Sequence, residues 1–246
     1  MKVWVWLPPQ YDDPAYADRS FPALMLYPGG SGAGYNTWAG TQYGAQALVA
    51  DGARAGSVTP FVFVMPAMQR SEQQDTDCAD LPGQPRVGTF LGVDVRQLIE
   101  STFRVRRDRT GWGAVGASAG AYCALRIAFN HPDQYAAAVS IDGYFALQTP
   151  LPHVATPAVL AQDPAALAAD RPPDVSVLVW SGDKKGPDLA RARAFVASAR
   201  PPTRIELRLL SRGRHTTRDF ARMMPDTLAF LTRELAGPQP TRATPG

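Results

Sequence analysis

Apolar residues in this chain gather into short dense runs, and stretches with helical spacing lie between them. Val3, Val5 and Leu7 alternate with Trp4 and Trp6 up to Pro8-Pro9, which predicts a strand ended by proline. Ala23-Leu-Met-Leu-Tyr27 is a buried strand entering the tight loop Pro28-Gly29-Gly30. Phe61–Met65, Trp112–Gly116, Ala136–Ile141, Val175–Trp180 and Ile205–Leu210 read as further strands. Helices are predicted near 41–55, 90–103, 119–129, 188–199 and 220–235, with Leu91, Val95, Leu98 and Ile99 forming one apolar face. Residues 145–174 are Pro- and Ala-rich and weakly helical. Continuous apolar strands alternating with amphipathic helices predict an α/β fold, a mostly parallel central sheet covered on both faces.

Composition narrows this picture. With 246 residues and 45% hydrophobic content, the chain can bury one sizeable core. No internal repeat or linker divides it, so residues 1–236 are read as a single domain and 237–246 as a mobile Pro-rich tail. The net charge is +3. Arg104, Arg106, Arg107 and Arg109 form a run without aromatic interleaving, read as a solvated turn rather than a nucleic-acid patch. No apolar run reaches the roughly 18 residues of a membrane span. The run Lys2–Leu7 is too short for a signal peptide, and the chain starts almost inside a strand. It is therefore expected to be a piece of something longer. The oligomeric state leaves no trace in the sequence.

The sharpest chemical signal is Gly116-Ala-Ser118-Ala-Gly120, which matches G-x-S-x-G between a predicted strand and a predicted helix. Such a reversal tolerates only small neighbours and thrusts the serine hydroxyl out beside a helix N-terminus. Ser118 is thus the expected nucleophile, and it needs a base. Of three histidines, His131 ends the serine's own helix and His153 lies in the Pro-rich stretch. His215 follows the last strand and precedes the last helix, where this motif's base belongs. The third member should be a carboxylate between serine and histidine in chain order. Asp188 is the first choice and Asp183 the alternative, both following the strand that ends at Trp180; Asp142 remains a third candidate. The amides of Ala119 and Gly30 are the expected oxyanion donors. Two cysteines, Cys78 and Cys123, would ordinarily be free and buried.

These pieces resemble a known group. Tyr27-Pro-Gly-Gly30, Gly116–Gly120, His131-Pro-Asp-Gln-Tyr135, Ser140-Ile-Asp-Gly-Tyr-Phe145 and Gly213-Arg-His215 are ordered as in the putative-esterase family of α/β hydrolases. That family includes esterase D (S-formylglutathione hydrolase) and the antigen 85 mycolyltransferases. The resemblance covers about residues 3–235 and is greatest to actinobacterial extracytoplasmic members, often fused behind membrane helices. Those members carry an Asp-Thr-acid-Cys stretch and a cysteine on the serine's helix, here Asp75-Thr-Asp-Cys78 and Cys123. The resemblance therefore implies a Cys78–Cys123 disulfide and an oxidising compartment. Pro28-Gly29 stands where the family usually has His-Gly, and Ser118-Ala-Gly-Ala121 where many have Ser-Met-Gly-Gly. The usual acid position falls near Lys185 or Gly186, so the acid has moved or is missing.

The expected activity is ester hydrolysis through an acyl-serine, needing no metal or cofactor. Residues 145–174 are too short for a large lid, which points to small or exposed acyl substrates, small-molecule or envelope esters. The antigen 85 likeness raises acyl transfer to an alcohol or sugar as an alternative. The displaced acid raises another, an inactive binding domain of the cell envelope.

Overall fold

The computed structural model describes residues 1–241 except Ser31, Glu72, Gln74 and 183–186; Asp183, the alternative choice for the acid, therefore lies outside the described residues. In chain order the elements are β1 (Val3–Trp6), β2 (Arg19–Ser20), β3 (Ala23–Tyr27), α1 (Ala45–Arg54), β4 (Val62–Pro66), α2 (Val87–Thr89), α3 (Val95–Thr102), β5 (Trp112–Ala117), α4 (Ala119–Asn130), β6 (Ala137–Ile141), α5 (Pro157–Leu160), α6 (Pro164–Asp170), β7 (Ser176–Gly182), α7 (Pro187–Ser198), β8 (Arg204–Leu210), α8 (Thr217–Glu234) and β9 (Gln239–Pro240). Seven strands form one sheet in the order β1-β4-β3-β5-β6-β7-β8. β1 is antiparallel to β4, and the remaining pairs are parallel.

The apolar runs become central strands because both of their faces are covered. Ala23, Met25 and Tyr27 of β3 point into one core, with Val95 and Ile99 of α3, Ala124 and Leu125 of α4, and Phe195 of α7. Leu24 and Leu26 point into the other, with Val49 of α1 and Met223, Leu228 and Leu231 of α8. Each fully buried Val, Leu, Ile, Met or Phe side chain contributes roughly 1.5–3 kcal/mol. The alternation along single strands thus holds two helical layers on one sheet.

Local differences from the sequence expectations have identifiable causes. The first helix begins at Ala45, after Gly44 takes a left-handed φ of 66°. The helix expected over 90–103 opens with a wide π-type turn at Phe90–Asp94. There the carbonyls of Leu91 and Gly92 accept the hydroxyls of Tyr27 (3.3 Å) and Tyr135 (3.2 Å). The arginine run is not a solvated turn. Arg106 is buried and bonded to Asp108, while Arg104 donates to the carbonyls of Tyr11, Tyr16, Ala17 and Arg19. Arg109 reaches Pro132 and Asp174, so three of the four guanidiniums tie chain segments together. Residues 237–241 pack on the body of the chain. Arg106 donates to the Gly237 carbonyl, and β9 pairs antiparallel with β2. Among the described residues no helix is long and apolar enough to cross a membrane.

Candidate active site

The site grows from the carboxyl edge of β5. Its sequence, Trp-Gly-Ala-Val-Gly-Ala, leaves little bulk where the chain must reverse. A Cβ on Gly116 would run into the Gly120 carbonyl, and one on Gly120 would strike the carbonyls of Tyr27 and Pro28. Between them Ser118 takes φ 56° and ψ −121°, a conformation that side-chain-bearing residues rarely adopt. The strain is held by the Ser118 amide, which donates to the Ile141 carbonyl at 2.9 Å, and by α4, which starts at the next residue.

His215 lies in the short loop between β8 and α8. Thr216 caps α8, and its hydroxyl and the Arg214 amide both reach the Asp219 carboxylate at 2.9 Å. That cap holds the loop, while Phe220 presents its ring edge-on to the imidazole at 5.1 Å. Gly213 packs so closely on Gly182 that a side chain at either would disturb the other. The result brings His215 Nε2 to 2.9 Å from Ser118 Oγ.

The other imidazole nitrogen, Nδ1, meets Asp142 Oδ2 at 2.8 Å. This differs from the sequence expectation. Asp188, the first choice for the acid, sits in the first turn of α7, exposed and bonded to Arg191 at 3.0 Å. It acts on His215 only through space. Strand register brings Asp142 to the histidine. Ala117 of β5 pairs with Ile141 of β6, so the residues that follow, Ser118 and Asp142, leave the same sheet edge side by side. Like Ser118, Asp142 is left-handed, with φ 51°, and its amide donates to the Trp180 carbonyl at 3.0 Å. The available sequence signal was an Asp-Gly pair directly after an apolar strand.

The Asp142 hydrogen bond raises the proton affinity of His215 above the ordinary imidazole value, and it outweighs the opposing effect of partial burial. Asp142 itself is largely covered, while about half of the imidazole is open to solvent. An imidazole with a carboxylate on one nitrogen and a hydroxyl on the other can withdraw the hydroxyl proton.

Ala119 is the first residue of α4, so its amide has no acceptor within the helix. Gly29 lies against Ser118 so closely that an added Cβ would sit 3.5 Å from the serine Cβ. Gly30, the next residue, has φ 69°. The Pro28–Gly30 loop therefore borders the serine. His131 and His153 are not brought to the site. His131 caps the far end of α4, roughly 20 Å along the helix, and His153 is exposed in a short turn. Cys78 and Cys123 form a disulfide that ties the loop after β4 to α4.

Comparison with known proteins gives this geometry a family. Residues 1–229 match the family model described as Putative esterase. An uncharacterized protein of Corynebacterium glutamicum is 31% identical over 142 residues, which is 57% of this chain and 32% of that protein. The chain thus matches about a third of the length of this curated relative. Among solved structures, a ferulic acid esterase superposes with a TM-score of 0.77 at 20% identity, covering 95% of this chain and 92% of the other. The S-formylglutathione hydrolase of Agrobacterium tumefaciens gives 0.75 at 16% identity, covering 95% and 90%. Mycobacterium tuberculosis MPT51 gives 0.65 at 18% identity, covering 88% and 91%. At these identities the structural likenesses establish an α/β-hydrolase fold, and the family match adds kinship: the chain belongs to the Putative esterase family.

Proposed function

We propose that this chain cleaves carboxylic esters through an acyl-serine intermediate, with Ser118 as nucleophile, His215 as general base and Asp142 as the acid that orients it. The observation that carries the reading is the continuous relay Ser118 Oγ–His215 Nε2 (2.9 Å) and His215 Nδ1–Asp142 Oδ2 (2.8 Å). Ser118 Oγ attacks the ester carbonyl carbon while its proton passes to Nε2. The Asp142 carboxylate stabilises the imidazolium that results and keeps Nδ1 the protonated nitrogen of the resting ring. The Ala119 and Gly30 amides receive the tetrahedral oxyanion, each donor contributing about 3 kcal/mol to the barrier reduction. Collapse breaks the ester C–O bond, and Nε2 returns its proton to the leaving alcohol. Water, deprotonated by the same nitrogen, then releases the acid and restores Ser118.

A fluorophosphonate probe tests this reading. The wild-type chain is expected to be labelled, and to hydrolyse p-nitrophenyl acetate, with both signals lost in Ser118→Ala. Folded wild-type protein that takes no label would overturn the reading in favour of a binding domain. The disulfide supports an oxidising, extracytoplasmic location, and the length of the Corynebacterium relative leaves room for this domain within a longer protein. A small-molecule or envelope ester is the substrate class that fits; the chain-length preference of a p-nitrophenyl ester series would define the acyl group.

A further inference from the structure

The segment that follows Asp142 has no regular structure from Gly143 to Pro150, yet it must hold a strained acid within hydrogen-bonding distance of His215. Its backbone needs partners, and two of its amides find them in buried carboxylates. Gln148 N donates to Asp77 Oδ2 at 2.7 Å, and Leu147 N donates to Asp163 Oδ2 at 3.0 Å. Each carboxylate also accepts a tyrosine hydroxyl: Asp77 from Tyr144, and Asp163 from Tyr122 at 2.6 Å. The two tyrosine rings stack with centroids 5.0 Å apart. A third tie runs from the Thr149 hydroxyl to the Asp75 carbonyl at 2.6 Å.

Both carboxylates are anchored to α4, the helix that begins one residue after Ser118. Asp163 is bonded to Tyr122 and Arg126 of that helix, the latter at 2.8 Å. Asp77 precedes Cys78, whose disulfide partner Cys123 is also on α4. Gly143 packs against Ala121 of the first turn, with no room for a side chain. The acid and the nucleophile therefore share one anchor, approached from two sides.

Asp77 is the less expected of the two clamps. It is 5% exposed, and among the described residues none of its hydrogen bonds comes from a cation. Burial, with Asp75 and Asp163 nearby, disfavours its charge, although the bonds from Tyr144 and Gln148 oppose this. Asp77 and Cys78 both adopt left-handed backbones, with φ of 47° and 57°. Buried polar groups and strain of this kind persist only where the surroundings over-determine them, and they gather at functional sites.

Resting on the Ser118–His215–Asp142 reading, we infer that Asp77, through Tyr144 and Gln148, is a positioning residue that sets Asp142 against His215. It touches neither the substrate nor the reacting atoms. Among the described residues, the charges that shift the proton affinity of His215 are Asp142 and, through space, Asp188; Asp77 is not among them. A change in the behaviour of His215 on altering Asp77 would therefore travel through the position of Asp142.

The test is steady-state hydrolysis of p-nitrophenyl acetate by Asp77→Asn and Tyr144→Phe, normalised to the fluorophosphonate-labelled fraction. Tyr144→Phe keeps the ring stack and the Asp77 charge, and it serves if Asp77→Asn does not fold. In each variant kcat per labelled site is expected to fall about tenfold with KM within about twofold, as for a misplaced catalytic group. The acidic limb of kcat/KM should move to lower pH, because a looser Asp142 bond no longer raises the proton affinity of His215. In an Asp142→Asn background the same substitutions should have no further effect on kcat. Wild-type kcat per labelled site with an unmoved limb, or a full further loss in the Asp142→Asn background, would overturn the inference. Absent labelling of the wild-type chain would instead overturn the acyl-serine reading, and this inference with it.

Discussion

At the N-terminal end of α4, a histidine from a distant loop meets Ser118; at the C-terminal end, His131 closes the helix itself. The two imidazoles are shifted in opposite directions. His215 holds its proton more tightly than usual because Asp142 accepts from Nδ1. His131 holds its proton more loosely because burial disfavours its charge, which outweighs the attraction of Asp133 and Asp80. A cavity of about 620 Å³ lies beside His131, lined also by Arg126, Asn130 and Gln162, while Ser118 is not part of it. The comparison teaches that a histidine or a hollow does not by itself assemble a hydroxyl, an imidazole and a carboxylate. A strained hydroxyl, a carboxylate and free helix amides meet at one end of α4 and not at the other.

The largest effect should come from separating the two ends by mutation. Asp142→Asn keeps the shape but removes the acceptor, and kcat on p-nitrophenyl acetate should fall on the order of 10³- to 10⁴-fold. Asp188→Asn and His131→Ala should each stay within about threefold of wild type. A comparable loss in Asp188→Asn would return the acid to α7.

Next in size is the staple midway along α4. The disulfide spans a sequence separation of 45, which corresponds to roughly 4 kcal/mol in the chain-entropy account. Urea unfolding of Cys78→Ala/Cys123→Ala should show a loss of that order. An unchanged midpoint would mean that packing alone holds the loop after β4 on the helix.

The finest test reads the two imidazoles directly by NMR titration. His215 should titrate above the ordinary value of about 6.5 and His131 below it. In its proposed role as base, His215 must be neutral, so kcat/KM should fall as pH drops through its raised value. The stability signs are opposite too. Protonated His215 adds stability that is full below about pH 6.5 and lost as pH rises through its folded value. His131 favours the fold above about pH 6.5, and that contribution declines as pH falls towards its lowered folded value. Asp142→Asn should bring His215 down towards His131; two unmoved titrations would break the comparison.

Much of this was legible in the chain. The five inner strands of the sheet stand out as apolar runs because burial on both faces leaves few polar positions to interrupt them. Ser118 is legible because its turn demands small neighbours at fixed offsets, and the crowding at Gly116 and Gly120 shows why. His215 is legible from its place after the last strand of the sheet. The arginine run was harder, because a guanidinium bonded to carbonyls has the same sequence as one in water. Arg104 and Arg106 are held by partners on segments far away in the chain.

By itself, then, the order of residues determined a covered parallel sheet, a serine at a strand-to-helix turn and a histidine able to reach it. These follow from local sterics and from periodicity, which act over a few residues. Only the tertiary structure brought Asp142 to the histidine and gave the loop beyond it a support. Asp142 lies beside Ser118 because β5 and β6 run in step, and Asp77 holds the loop beyond it across a separation of 67–71 residues. Such meetings depend on strand order and on what packs over α4, and no spacing along the chain encodes either.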